Sequence, residues 1–460
     1  MSTLKHLLFL GLLFLASACS EKREVLKEPA SAPSVVSADS ASLYSESGLE
    51  SIVVTASKVS TSRGRPASTV GVFPPDLPHD EPPKPETEIQ AGTITAADYD
   101  DLLNSQLYLD YASKFLQNNK SIELPFLDLK QGLIVSVKDS NGDAASGLSV
   151  ELIANGKSIK KLKTANNGIV RLYPDHDKLP KSFELKVQDR EAKMLAKQKV
   201  TLAGIVEQGS LTINIDKPVK PRTQFDLALV IDTTGSMGDE LAYLKKELRA
   251  IVNSINEANS NLDIKVGLVV YRDTSDDYVT RQFDFMNVEK LITILGKQSY
   301  GGGGDYPEAM DQALEAANKL SWRAHSTKVM LLVADAPPHD QNSLATWKQA
   351  ELARTQQIHI VPVAASGVGD KAQYLMRAMA ALTQSRYIFL TDDSGVGNAH
   401  AEPSVDCYVV SRLDNLITRV VNGLILGQRV EAKESDIIRR KGNYENGVCA
   451  DIDNTKQELD

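Results

Sequence analysis

Four oxygen-bearing side chains stand where two apolar runs of this sequence end. The run FDLALVI is closed by Asp232, with Thr234 and Ser236 two and four positions on, and KVMLLVA is closed by Asp335. Alternate positions along an extended segment point the same way, so Asp232, Thr234 and Ser236 can present three oxygens to one side. Carboxylates and hydroxyls are hard donors suited to Mg²⁺, or to Mn²⁺ or Ca²⁺, and without Cys or well-spaced His among them they do not suit zinc. The chemistry expected is the holding of a divalent cation. The competing reading is that Asp232 and Thr234 cap a helix beginning near Met237, a role both residue types fill; capping alone would give Asp335 no part.

The elements that must position these residues are legible in the apolar pattern. After Asp232, the residues Met237, Leu241, Leu244, Leu248, Ile251, Val252 and Ile255 recur at spacings of three and four, the face of a helix. Further buried strands are expected at Ile264–Tyr271, Lys328–Ala334, Ile358–Ala364 and Arg386–Leu390. Near-continuous apolar strands alternating with helices predict an α/β fold with a doubly wound, mostly parallel sheet, Rossmann-like in layout. In such sheets ligands occupy the crevice beyond the carboxyl ends of the strands, where Asp232 and Asp335 fall.

Taken together, DTTGSM before an amphipathic helix, GLVVYRD, GGGGDYPEA before a second helix, and LLVADAPPH resemble a von Willebrand factor A domain with its metal-ion-dependent adhesion site, over residues 224–427. The resemblance implies that Asp232, Thr234 and Ser236 form the metal-binding loop and that Asp335 is the carboxylate after the fourth strand. Thr234 stands where the family more often has Ser, and the hydroxyl is retained. The family's separate Thr ligand is missing; GGGGDYPEA offers Asp305, the preferred candidate, or Glu308. A carboxylate there favours tighter cation binding with a weaker pull on an anionic ligand. The family's metal keeps one position for a carboxylate from a protein partner, so the implied function is binding, in adhesion, assembly or scaffolding, rather than catalysis. The alternatives are an envelope hydrolase using the same metal to polarise a substrate, and a transport accessory.

Other catalytic signatures are weaker. Gly301–Asp305 lacks the Lys-Ser/Thr ending of a phosphate loop. Ser236 lacks a nucleophile elbow, His339 and His359 read as structural or surface histidines, and Asp392 and Asp393 open a solvated loop.

The 460 residues are too many for one core, and a composition of 42% apolar and 24% charged residues excludes wholesale disorder. A net charge of −9 with no dense Lys/Arg tract makes nucleic acid an improbable partner. Residues 1–19 read as an export signal, with Lys5 and His6 ahead of an apolar run too short to span a bilayer and small residues before Cys19. LASAC resembles the bacterial lipobox, which implies a lipid anchor on Cys19, and the Ser20 that follows resembles outer-membrane sorting; a plain secretory signal is the other reading. The location expected is the cell envelope, on the outer membrane.

Residues 20–92 hold nine of the nineteen prolines and form a flexible tether. Within it ESIVVTASK, Glu50–Lys58, resembles a TonB box; a β-prone linker piece or a strand docking on the chain's own domains would read the same way. In the helical segment 93–124, one amphipathic helix is expected over Thr95–Gln117 with Thr95 as a possible cap. Residues 125–218 alternate apolar and polar positions, with turns at Ser140–Asp143 and Asn166–Gly168, and predict a small antiparallel β-sandwich resembling the carboxypeptidase regulatory-like scaffold. Asp139, Asn141 and Asp143 imitate an EF-hand opening, but Ala144 and Val150 stand where Gly and Glu are needed. In the remaining tail, 428–460, Cys449 is free to pair with Cys407 in an oxidising compartment.

Overall fold

The computed structural model describes Gly92 and residues 94–365, 367–394 and 403–450. The export signal, Cys19, the tether up to residue 91 with its Glu50–Lys58 segment, and the chain beyond residue 450 lie outside them. Among the described residues no helix is long and apolar enough to cross a membrane.

The first element corrects an expectation. Thr95–Tyr99 is not the start of a helix but a fully buried strand, β1, and the helix α1 runs Ser105–Asn118. Its partners lie nearly 300 residues away, which local spacing could not reveal: the Thr95 hydroxyl donates to the Thr391 carbonyl at 2.9 Å. Periodicity placed Leu102 and Leu103 on the same helical face as Leu107, but they fall in the turn between the two elements.

The sandwich follows. Strands β2 (Leu133–Lys138), β3 (Ser149–Ala154), β4 (Lys157–Lys163), β5 (Ile169–Leu172), β6 (Ser182–Gln188) and β7 (Met194–Thr201) precede a short helix α2 (Leu202–Gln208) and strand β8 (Ser210–Asn214). One sheet has the order β4-β3-β6-β7 and is antiparallel; the other has the order β5-β2-β8. That second sheet departs from the antiparallel expectation, because β8 runs parallel to β2. The connection from β2 to β8 runs through β3–β7 and α2, the long crossover that a parallel neighbour requires and a tight hairpin cannot provide. Alternating Val135, Val137, Val150, Leu152, Leu185 and Val187 fill the space between the sheets. Asp139 closes its own turn, accepting from the backbone N–H of Asn141 at 2.8 Å and of Asp143 at 3.1 Å, and ties it to the segment after β8 by accepting from the Val219 N–H at 2.9 Å.

The larger part is an α/β fold around a nine-stranded sheet, mostly parallel at its centre. In chain order it adds β9 (Gln224–Asp232), α3 (Gly238–Ala258), β10 (Asp263–Tyr271), β11 (Thr280–Met286), α4 (Val288–Gly296), α5 (Met310–Asn318) and β12 (Ser326–Ala334). There follow α6 (Ser343–Gln356), β13 (Ile358–Ala364), α7 (Asp370–Leu382), β14 (Tyr387–Thr391), β15 (Tyr408–Arg412), α8 (Leu413–Leu426) and β16 (Arg439–Lys441). The order across the sheet is β11-β10-β9-β12-β13-β14-β1-β15-β16. Strands β10, β9, β12, β13 and β14 are mutually parallel, and β11, β1, β15 and β16 pair antiparallel. Apolar side chains of α3, α4 and α8 pack on one face, and those of α1, α5, α6 and α7 on the other.

The sheet therefore draws strands from both sides of 224–427, with β1 ahead of the sandwich and β16 in the tail. The sandwich lies between two strands of one sheet in chain order. Cys407, just before β15, is joined by a disulfide to Cys449 in the tail.

Candidate metal centre

Asp232 is the last residue of β9, in register with Tyr271 of β10, and its side chain is buried. Its Oδ1 accepts from the Thr234 backbone N–H at 2.9 Å and from the Thr234 hydroxyl at 2.7 Å, and Thr234 Oγ1 lies 3.5 Å from Ser236 Oγ. Thr234 has extended backbone, and a single 3₁₀ turn, Gly235–Met237, leads from it into α3. Neither the turn nor α3 receives a side-chain cap from the residue at its N-terminal boundary. The Thr234 hydroxyl serves Asp232 instead, so the capping alternative does not describe what this side chain does.

Asp335 follows β12 directly, on the neighbouring strand, where the two parallel strands end side by side. Its backbone carbonyl lies 3.1 Å from the Tyr306 hydroxyl, which also accepts from the Gly369 N–H at 2.5 Å. The glycine run lies across the Asp232 loop: Gly301 N–H donates to Thr233 O at 3.1 Å and Gly235 N–H to Gly302 O at 3.3 Å. Gly303 N–H donates to Asp276 Oδ2 at 3.1 Å. Gly302 and Gly303 have φ of 77° and 79°, a left-handed conformation that costs other residues about 1 kcal/mol or more.

Thr234, Ser236, Asp335 and Glu308 line one open recess with Asp305, Tyr306 and the glycines. Of the two acidic candidates in the glycine segment, Asp305 is exposed on the rim and Glu308 is buried. Glu308 is tied to the stretch after Asp335 through its N–H to Pro337 O at 2.9 Å.

Electrostatically the recess carries too much negative charge for its burial. Burial, and then the charge of Asp335, push Asp232 up to about 7. Burial, and then the charges of Asp232, Asp273, Asp276 and Asp335, push Glu308 up to about 9. Asp232 Oδ2 and Glu308 Oε2 are buried without a hydrogen-bond partner among the described residues, an arrangement that costs about 1–3 kcal/mol per group or more when charged. A divalent cation would relieve both the desolvation and the repulsion. Among the described residues no three Asp, Glu, His or Cys side chains form a metal cage by themselves, so Thr234 and Ser236 hydroxyls and water would complete the donor set around Asp232 and Asp335. Hard oxygens in that number fit Mg²⁺, which keeps several waters.

Two histidines have defined places. His339 Nε2 lies 2.7 Å from Asp273 Oδ1, joining the exits of β12 and β10 beside the recess. Buried His359 places Nδ1 2.7 Å from Thr383 O on the far side of the sheet's central strands. Sequence spacing missed the His339–Asp273 contact and undervalued Glu308. The signal for Glu308 was its position beside the apolar start of α5, where a side chain turns inward, whereas Asp305 follows four glycines.

Residues 226–401 match the von Willebrand factor A domain family. The chain is 30% identical over 126 residues to the alpha-protein kinase vwkA of Dictyostelium discoideum, covering 27% of this chain and 20% of the kinase. It is 35% identical over 119 residues to a putative ariadne-like RING finger protein of Acanthamoeba polyphaga mimivirus, covering 26% of this chain and 12% of that protein. The chain thus spans a small part of the curated relatives it matches. Among solved structures, the pilus adhesin SpaC of Lactobacillus rhamnosus GG in its open conformation is similar with a TM-score of 0.31 and 12% identity, covering 54% of this chain and 32% of the adhesin.

Proposed function

With residues 226–401 forming a von Willebrand factor A domain as the premise, we propose that this protein binds a protein partner through a divalent cation held by Asp232, Thr234, Ser236 and Asp335. The observation that carries the reading is the buried Asp232 carboxylate, with one oxygen held by Thr234 and the other given, among the described residues, nothing beyond the neighbouring Tyr271 hydroxyl, beside a second carboxylate at the end of the adjacent strand. The two Asp residues and two hydroxyls hold Mg²⁺, and a carboxylate of the partner completes the coordination. The protein acts as a binding module of the cell envelope, with adhesion, assembly or scaffolding as its role. Cys19 carries the lipid anchor at the outer membrane, and the tether sets the domain's reach.

The test is capture of envelope proteins, solubilised in detergent, on the immobilised chain in Mg²⁺ or in EDTA. Capture should require Mg²⁺ and vanish in Asp232→Ala. Partners retained equally by that variant in EDTA would overturn the proposal.

A further inference from the structure

We propose that Glu308, rather than the Asp305 that the family resemblance favoured, is the acidic side chain that faces the cation, reaching it through one of its waters, and that it competes there with the partner's own carboxylate. The inference rests on the metal-bridged reading above and concerns how that site is regulated.

Three observations bear on it. Glu308 is only 3% exposed, yet its Oε2 has no hydrogen-bond partner among the described residues, while the side chain lines the same recess as Thr234, Ser236 and Asp335. A buried carboxylate oxygen without a donor is too costly to be an incidental surface group. Glu308 also lies close to the metal-binding loop at Gly303: a Cβ built there would lie 3.3 Å from Thr234 Cβ and 3.4 Å from Glu308 Oε1. Finally, its backbone is fixed to the Asp335 loop by the bond to Pro337 O and the bridge to Pro338, so its position is set by the strand end that carries Asp335. Asp305 lines the same recess but is exposed at its rim.

The consequence follows from charge. Asp232 and Asp335 neutralise a divalent ion, and a cation so balanced still favours a further anionic ligand at its open position. With Glu308 the protein contributes one more negative charge than the ion carries, which strengthens cation binding and weakens the pull on an external carboxylate. Glu308 acts as a built-in occupant, reaching the ion through one of its waters, and a partner carboxylate must displace it.

Mn²⁺ binding followed by the spectroscopic signal of the free ion separates the possibilities. Glu308→Gln should weaken Mn²⁺ binding on the order of tenfold and should melt higher than the parent protein in EDTA, because the cost of burying a carboxyl beside other carboxylates is removed. Loaded with Mn²⁺, that variant should bind acetate more tightly than the parent. Asp305→Asn should leave Mn²⁺ affinity unchanged. An unaltered affinity in Glu308→Gln, or a loss in Asp305→Asn, would overturn the assignment while leaving the metal reading intact. Unaltered Mn²⁺ binding in Asp232→Ala would instead remove the metal reading itself.

Discussion

Arg354, on α6 of the α/β part, grips Asp177 of the sandwich with both terminal nitrogens, each at 2.8 Å from a different carboxylate oxygen. Asp177 is fully buried and also accepts from Lys160 Nζ at 2.7 Å and from the Tyr173 N–H at 2.9 Å. The same guanidinium donates to Arg171 O at 2.7 Å. A satisfied ion pair therefore ties the sandwich to the α/β part.

Removing one member should be costly. Arg354→Met leaves a buried carboxylate with only Lys160 as counter-ion, and about 3–5 kcal/mol of stability should be lost, read as a lower urea midpoint. The cationic partners hold the Asp177 carboxyl well below the usual range despite its burial. A depressed acid stabilises the fold above its unfolded value near 4 and loses that contribution as pH falls through the folded value. The parent protein should thus lose stability steeply below about pH 4, and Asp177→Asn should flatten that slope while starting from a lower stability.

What the sequence made legible follows the range of the forces involved. Strands β9, β10, β12, β13 and β14 were visible because parallel strands covered on both faces are continuous apolar runs. The Asp232 loop and Asp335 were visible because the ends of those runs are local signals. The strand TAADY was not, since its conformation is imposed by β14 and β15 rather than by its own residues. Spacing alone did not choose between Asp305 and Glu308, three residues apart; the cue was the apolar start of α5 beside Glu308, and the fold shows which of them turns inward.

That hidden strand has a testable cost. Asp98 of β1 receives Arg386 and Arg419, each at 3.0 Å, and Asp101 just beyond β1 receives Arg377 at 2.6 Å. A fragment starting at residue 224 would expose the facing edges of β14 and β15 and leave three buried arginines without their carboxylates. It should be insoluble or unfolded by circular dichroism, whereas residues 92–450 should fold cooperatively. A folded 224–450 fragment would show that β1 is dispensable.

His359 gives a second pH dependence, with the opposite charge type. Burial pushes its pKa down to about 4, and its Nδ1 faces the Thr383 carbonyl. The neutral ring is favoured in the fold, so its stabilising effect is complete above the unfolded value near 6.5. As pH falls from there towards 4, the unfolded chain takes up the proton first. The unfolding constant should rise up to roughly tenfold per pH unit across that window. His359→Gln should remove this part of the slope, and the His359 ring-proton shifts in the parent should show no titration near pH 6.5.

The glycine loop distinguishes a shaped recess from a merely acidic one. Gly303 and Gly304 are neighbours, but only Gly303 has a positive φ, 79°, and only there would a Cβ meet the loop of Thr234 and the carboxylate of Glu308. At Gly304 a Cβ meets nothing within 4 Å. Gly303→Ala should therefore cost about 1 kcal/mol in backbone strain and, by pressing Thr234 and Glu308 apart, should weaken Mn²⁺ binding. Gly304→Ala adds the same methyl group and removes no charge, so both melting temperature and Mn²⁺ affinity should stay at the parent values. Equal Mn²⁺ affinities for the two variants would mean that the approach of Glu308 to the Thr234 loop has no bearing on the ion, and that the carboxylates act only through their summed charge.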